Sequence, residues 1–285
     1  MRNNYIYLGV AVTRRDLLKT LAVASVGAVS GAAAWGTVYE RHQIRRITRD
    51  IVVRGLPQSL DGVRVGMITD VHHSSVVPAT DVIRAVSLLV DAAPDFTVLG
   101  GDYVSFFDRR YAGPVAELMA PLANAPHGAF AVLGNHDDER DVPAALSANG
   151  FTVLKDQRTA LTIRGERLDL AGIRFWTRTA GDIARVLRGT GGTTTLLAHD
   201  PRRLVEAASL DVQLVLSGHT HGGQVVVPAI GAIAGRRFPV LAGYASRENT
   251  SMFVSRGVGT VYVPIRINCP PDVAVLTLRS ASAVG

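Results

Sequence analysis

The sequence predicts an α/β protein, a single body domain of mixed β-sheets and helices behind a separate N-terminal segment. Three observations lead there. Short β-branched or apolar runs recur along the chain and end in Gly, Asp, Asn or His. Stretches of helical period fill the gaps between them, and the last third, 224–278, is strand-rich with Gly and Pro turns. At 285 residues the chain is long enough to bury a sizeable core, and 47% apolar composition excludes a wholly disordered one.

Residues 1–36 are expected to form an export signal of the twin-arginine type or a membrane anchor. Arg14 and Arg15, with Lys19, precede an uncharged run from Leu21 to Trp35 that is rich in Ala, Val and Gly and holds small residues at 31–34. Paired arginines ahead of a weakly apolar run are similar to the signal that exports folded proteins. From Leu17 to Val38 the segment is also about long enough to span a bilayer, so a cleaved signal and a retained anchor both fit. No amphipathic period marks it as an ordinary buried helix, and no cysteine lies near the small residues to carry a lipid. Residues 37–60 read as a basic, surface-lying connector, and 61–285 as the domain. Within it, strands are expected at 64–69, 96–99, 129–133, 194–198 and 212–216, and helices at 79–93, 114–123, 142–149 and 201–208. Residues 152–173 read as a hairpin around Arg164-Gly165-Glu166.

The net charge of +6 and a pI near 9.9 would ordinarily raise nucleic acid as a partner. The excess is local. Residues 1–60 hold nine basic and three acidic groups, and the remaining 21 of each sign cancel. A neutral body lacks the basic surface that phosphate-backbone binding needs, so nucleic acid is not expected. One cysteine, Cys269, excludes a disulfide framework and a thiolate-built zinc cage within one chain.

Each of the five strand ends delivers metal-ligand chemistry: Asp70-Val71-His72, Gly101-Asp102, Gly134-Asn135-His136-Asp137, Ala198-His199 and Gly218-His219-Thr220-His221. Five of the eight histidines lie in these motifs. Ligands of α/β sheets bind beyond the carboxyl ends of strands. Aspartates offer hard anionic oxygens and neutral imidazoles a borderline nitrogen. In an extended run residues i and i+2 project to one side, so Asp70 and His72 are expected to share a metal, and His219 and His221 to face the same cluster. Glycines 101, 134 and 218 permit tight turns and close approach.

In this order, with steps of 32, 33, 64 and 20 residues from Asp70 through Asp102, Asn135 and His199 to His219, the blocks resemble the calcineurin-like metallophosphoesterase superfamily over about residues 63–225. Gly222-Gly223-Gln224, Val254-Ser255-Arg256-Gly257 and the run 264–271 resemble its exported YkuE/YaeI-like phosphodiesterase subgroup. The resemblance implies a four-layer α/β/β/α sandwich of two mixed β-sheets with a dinuclear site. Asp70, His72 and His221 would hold one divalent ion, Asn135, His199 and His219 the other, and Asp102 would bridge them. His136 would act beside the ions as an acid or transition-state stabiliser. The implied reaction is phosphodiester hydrolysis by a hydroxide activated between two ions of Mn²⁺, Zn²⁺ or Fe. Phosphomonoester or pyrophosphate cleavage on a lipid-linked or nucleotide substrate is the alternative, and a non-hydrolytic scaffold is a third reading that the intact ligand set argues against. No serine or cysteine nucleophile is required; no G-x-S-x-G occurs, and Cys269 lies far from the motifs in sequence.

Around this set the readings divide. Asp137 is expected either to orient a histidine or to cap the helix that follows. His73 reads as a solvent-facing neighbour, with substrate contact the other possibility, and Gln224 as lining the substrate entrance. The pairs Arg109-Arg110 and Arg236-Arg237 read as solvated surface, and Cys269 as a small buried residue. The expected partners are a phosphoester substrate, a phospholipid or cell-envelope component among them, and the membrane surface, reached through the N-terminal segment. The chain is expected to be a monomer at the outer face of the cell membrane, in the cell wall or in the periplasm.

Overall fold

The computed structural model describes residues 13–281. Two six-stranded sheets lie face to face. In spatial order the first contains Arg45–Val53, Asp272–Ser280, Arg64–Ile68, Phe96–Leu99, Ala129–Ala131 and Thr152–Val153. All its pairings are parallel except that of Asp272–Ser280 with Arg64–Ile68. The second contains Gly243–Arg247, Thr250–Val254, Leu214–Ser217, Thr193–Leu197, Glu166–Gly172 and Gln157–Ile163, a parallel centre with an antiparallel pair at each edge.

Apolar faces dictate the layering. Between the sheets, Val65, Met67, Phe96 and Phe130 pack with Leu168, Leu197, Leu214 and Phe253. On the far side of the first sheet, Val82, Val86 and Leu89 of helix Ala79–Val90 and Val115 and Met119 of helix Ala112–Met119 cover Ile68, Leu99 and Val273. On the far side of the second, Ile183, Leu204 and Ala207 cover Ala171, Leu196 and Met252. Central strands are largely buried on both faces, and most read as runs of apolar or β-branched residues. The result is the four-layer α/β/β/α sandwich.

The hairpin closes at Arg164-Gly165, both left-handed at φ +53° and +83°, with Ile163 opposite Glu166. Three segments depart from expectation. Residues 37–60 are not a free connector, because Arg45–Val53 is a nine-residue strand paired in register with Asp272–Ser280. Its Ile51 and Val53 are buried while Arg45, Arg46 and Arg49 are exposed, so its arginines mark the solvent-exposed first half of an edge strand. Thr152–Val153 joins the first sheet rather than the hairpin. A helix at Ala180–Val186, too short to show a period, is fixed by Thr179, which accepts from the Asp182 backbone N–H and donates to its carboxylate.

Helix Arg14–Ala34 buries none of its residues and is long and apolar enough to cross a membrane. It runs on through a π-turn, Trp35–Tyr39, into the body. There Gly36 is buried against Arg266, Ile265 and Ile267, so closely that a Cβ would collide with all three. Glu40 accepts from the Cys269 backbone N–H at 2.7 Å and from Trp35 Nε1 at 3.2 Å.

Candidate metal centre

The donor-bearing loops leave the carboxyl ends of strands in both sheets. Asp70, His72, Asp102, Asn135 and His136 come from the first, and His199, His219 and His221 from the second. Strand alternation is not what converges them. Strand Arg64–Ile68 has ended before Asp70, and Asp70 and His72 both sit in the left-handed region at φ +50°. Asp102, His219 and His221 do the same at +57°, +72° and +51°. Non-glycine residues rarely adopt this conformation, and its concentration at five donor positions marks backbone bent to aim side chains. The loops are clamped to one another: Asp70 N–H donates to Gly101 O at 2.8 Å and His72 N–H to Asp102 O at 3.0 Å. Gly134 and Gly218 admit the carboxylates, since a Cβ at either would overlap Asp102 Oδ1 or Asp70 Oδ2.

Two groups of donors result. Asp70, His72 and His221 form one and Asp102, His199 and His219 the other, with the ligand atoms of each within 4.8 Å of one another. His72 Nε2 and His221 Nε2 are 3.1 Å apart, and His221 Nε2 is 3.4 Å from Asp70 Oδ1. Asp102 faces both groups through a single oxygen. Its Oδ2 lies 3.5 Å from His72 Nε2 and 3.2 Å from His199 Nε2, while Oδ1 accepts from the His136 backbone N–H at 2.8 Å. His221 belongs to the first group and His219 to the second.

Charge and hydrogen bonding in this cluster suit cations. Burial lowers the His72 imidazole to about 4 and His219 to about 3, and holds His221 well down. These rings are therefore neutral lone-pair donors. Burial also raises Asp70 to about 6. For His199, burial works downward but the carboxylates of Asp102 and Asp70 prevail and push it up to about 10. Its Nδ1 donates to Gly100 O at 2.8 Å, which turns Nε2 toward the carboxylates without hydrogen-bond geometry. Asn135 Oδ1 is likewise buried without a partner. An orphaned buried acceptor is costly, and Asn135 Oδ1, like the proton that the carboxylates draw onto His199, points at a need for positive charge.

The residues around the groups fall differently from expectation. Asp137 neither orients His136 nor caps a helix. Its carboxylate accepts from the backbone N–H groups of Asp102 at 2.7 Å, Tyr103 at 2.8 Å and Gly134 at 2.8 Å, so it pins the two loops together. Capping before Asp141–Ala148 falls to Asp138 instead, which accepts from Arg140 and Asp141 N–H. His73 is buried, not solvent-facing: its Nδ1 meets Val77 O at 2.9 Å and its ring packs edge-on against Tyr111. Gln224 lines the cleft, but both ends of its amide hold Val261, donating to O at 3.1 Å and accepting from N at 2.8 Å. Arg109 pairs with Asp138 at 2.7 Å at the surface. Cys269, remote in sequence, is buried directly beneath the site with Sγ 3.3 Å from His221 O.

Arg266 is the residue that sequence reasoning missed. Its guanidinium is fully buried and donates to the carbonyls of Gly259, Arg256, Gly257, Cys269 and His221 at 2.6 to 3.4 Å, forming no ion pair with a carboxylate among the described residues. It knits the 256–269 loop to His221. The available signal was a lone arginine between two isoleucines in a run bounded by prolines.

The cleft over the centre has a volume of about 200 Å³ and is lined by Asp102, Asn135, His136, His219, Arg237 and Tyr262, among others. Against this geometry, the family model for calcineurin-like phosphoesterases matches residues 63–223, more than half the chain and all five donor blocks. The chain belongs to the calcineurin-like phosphoesterase family. As a metallophosphoesterase it is a hydrolase with two candidate metal-binding groups, as expected of a dinuclear centre. This phosphoesterase is 28% identical over 284 residues to the uncharacterized metallophosphoesterase YkuE of Bacillus subtilis, covering 95% of this chain and 99% of that one. It is 32% identical over 228 residues to the phosphodiesterase YaeI of Escherichia coli, covering 75% and 82%. The metallophosphoesterase fold also resembles that of the Haemophilus influenzae NAD nucleotidase NadN, with a TM-score of 0.50 at 14% identity over 69% of this chain and 45% of that one.

Proposed function

We propose that the protein is a phosphodiesterase working at or outside the membrane, in which Asp70, His72 and His221 would hold one divalent ion and Asp102, His199 and His219, with Asn135, a second. The observation that carries this reading is the pair of buried, unpartnered donor atoms, Asn135 Oδ1 and His199 Nε2, turned into a cluster that already contains two carboxylates and three neutral imidazoles. Ions held there polarise phosphoryl oxygens and lower the pKa of a water at the site. The donor set, all nitrogen and oxygen, suits Mn²⁺, Zn²⁺ or Fe.

The chain's own residues supply the rest. His136 Nδ1 accepts from the Phe106 backbone N–H at 3.2 Å, which leaves the ring proton on Nε2. Burial lowers its basicity, so the ring is neutral at pH 7 and acts as a hydrogen-bond donor to a phosphoryl or leaving-group oxygen. Asp102 holds the His136 backbone through Oδ1, so the donor and the shared carboxylate are placed by one contact. Arg237, which also lines the cleft, offers a cation to an anionic substrate. The apolar helix Arg14–Ala34 supports a membrane location, either as a twin-arginine export signal or as a retained anchor.

The test is hydrolysis of mono-, di- and pyrophosphate esters by metal-stripped protein reloaded with one metal at a time. Diester cleavage is expected to be fastest, and Asp102→Ala and Asn135→Ala are expected to abolish it with circular dichroism unchanged. Activity retained in either variant overturns the assignment.

A further inference from the structure

We propose that a cavity beside the metal cleft binds the hydrocarbon part of an amphiphilic phosphodiester drawn from the membrane, with the phosphate reaching the metal centre. This rests on the phosphodiesterase reading above. The cavity, about 410 Å³, is lined on its apolar side by Val76, Phe106, Tyr262, Val263 and Pro264. That volume is within the range of small-molecule sites. Tyr262 lines both this cavity and the metal cleft. Its ring and that of Phe106 are 5.6 Å apart, and both pack on His136, at 6.1 and 5.0 Å. Two aromatic side chains thus separate the candidate catalytic histidine from an apolar hollow.

The surface chemistry does not favour a second anion site, since the polar side chains of the lining are the hydroxyls of Ser74, Ser75, Ser105 and Thr260 and one carboxylate. No Lys or Arg lines the cavity, and its one carboxylate, Asp108, is taken by Arg110. What it offers is hydrocarbon left in water: Tyr262 is 80% exposed, Phe106 56%, Val263 50% and Val76 44%. A contiguous apolar patch beside a polar site marks a place where an apolar ligand is covered.

The source of that ligand follows from where the N-terminal helix lands. Its end meets the body at the rim of this cavity from two sides. Arg266 N–H, two residues beyond Pro264, donates to Gly36 O at 3.1 Å, and Arg41 Nη1 donates to Val76 O at 3.3 Å. Trp35, Val38 and Tyr39 are exposed on the same turn, as aromatic residues are at a membrane interface. Arg41, Arg45 and Arg46 follow at once, the charge that meets anionic headgroups. A helix entering the bilayer there brings the hollow to the lipid surface with its inner end at Phe106 and Tyr262, the rings that pack on His136.

The experiment uses the full chain in phospholipid nanodiscs with Mn²⁺ and two substrates that differ only in tail, p-nitrophenyl ethyl phosphate and p-nitrophenyl octyl phosphate. The expected result is a kcat/KM for the octyl ester about tenfold or more above that for the ethyl ester, since each buried methylene strengthens binding severalfold. In Val76→Ser and Val263→Ser the octyl-to-ethyl ratio is expected to collapse toward one. Equal rates for the two esters in the native chain overturn the proposal while leaving the phosphodiesterase reading intact. An octyl preference that persists in both variants assigns it to partition into the bilayer and also overturns the proposal. Rates per enzyme that fall with protein concentration, without a chain-length effect, give the cavity to a second copy of this chain instead. Hydrolysis of neither ester overturns the phosphodiesterase reading and the proposal with it.

Discussion

Asp70, His72, Asp102, His219 and His221 are ordinary ligand-type residues in an unusual backbone, and the left-handed φ at each decides where its side chain goes. Residue type was therefore legible in the sequence and direction was not. The i, i+2 spacing put His219 and His221 in one cluster, and it is the turn at 218–223 that divides them between its two donor groups. His136 was legible from its block, but its tautomer depends on a Phe106 N–H thirty residues away in sequence. His136→Gln is expected to lower kcat about 10²- to 10⁴-fold with bound metal unchanged by elemental analysis. Arg266 illustrates the opposite limit, because its five carbonyl partners are scattered from 221 to 269 and no local pattern announces them. Arg266→Leu strands those carbonyls in the interior and is expected to cost about 3 kcal/mol or more, read from urea unfolding.

Among the elements, those with strong local signals were readable. Most central strands are apolar or β-branched runs, and the hairpin turns on Arg164-Gly165, whose left-handed pair suits a two-residue connection. Arg45–Val53 was hidden because the first half of this edge strand is exposed and carries three arginines, whose charge dominated the composition. Its partner, Asp272–Ser280, lies more than two hundred residues away, so only long-range pairing reveals it. The joint between the N-terminal helix and the body is equally non-local, since it depends on Gly36 fitting against Arg266 O and two isoleucines. Gly36→Val is expected to dislodge that turn and destabilise the body by about 1 to 3 kcal/mol. A lower melting temperature with faster tryptic cleavage at Arg41 would register it, and an unchanged melt would show that the joint contributes nothing.

For the whole molecule, the metal centre is a seam. One sheet brings two carboxylates, an amide and an imidazole to it, and the other brings three imidazoles. Removing metal leaves this charge to a single proton on His199, whose affinity is raised by Asp102 and Asp70 against the effect of burial. A raised imidazole stabilises the fold below its unfolded pKa near 6.5 and loses that contribution as pH climbs through about 10. The melting temperature of chelator-treated protein is therefore expected to fall between pH 7 and 10, and that of the reloaded protein to change much less. Differential scanning calorimetry at both pH values checks this, and parallel curves would refute it.

The placement of Asp272–Ser280 has a consequence in time. This strand lies between Arg45–Val53 and Arg64–Ile68, so the first sheet stays split until Asp272–Ser280 has left the ribosome. Contacts of such long range form late in folding. Helix Arg14–Ala34 is made more than two hundred residues before the strand that closes this sheet, so any factor that binds the helix during synthesis meets an unfinished body.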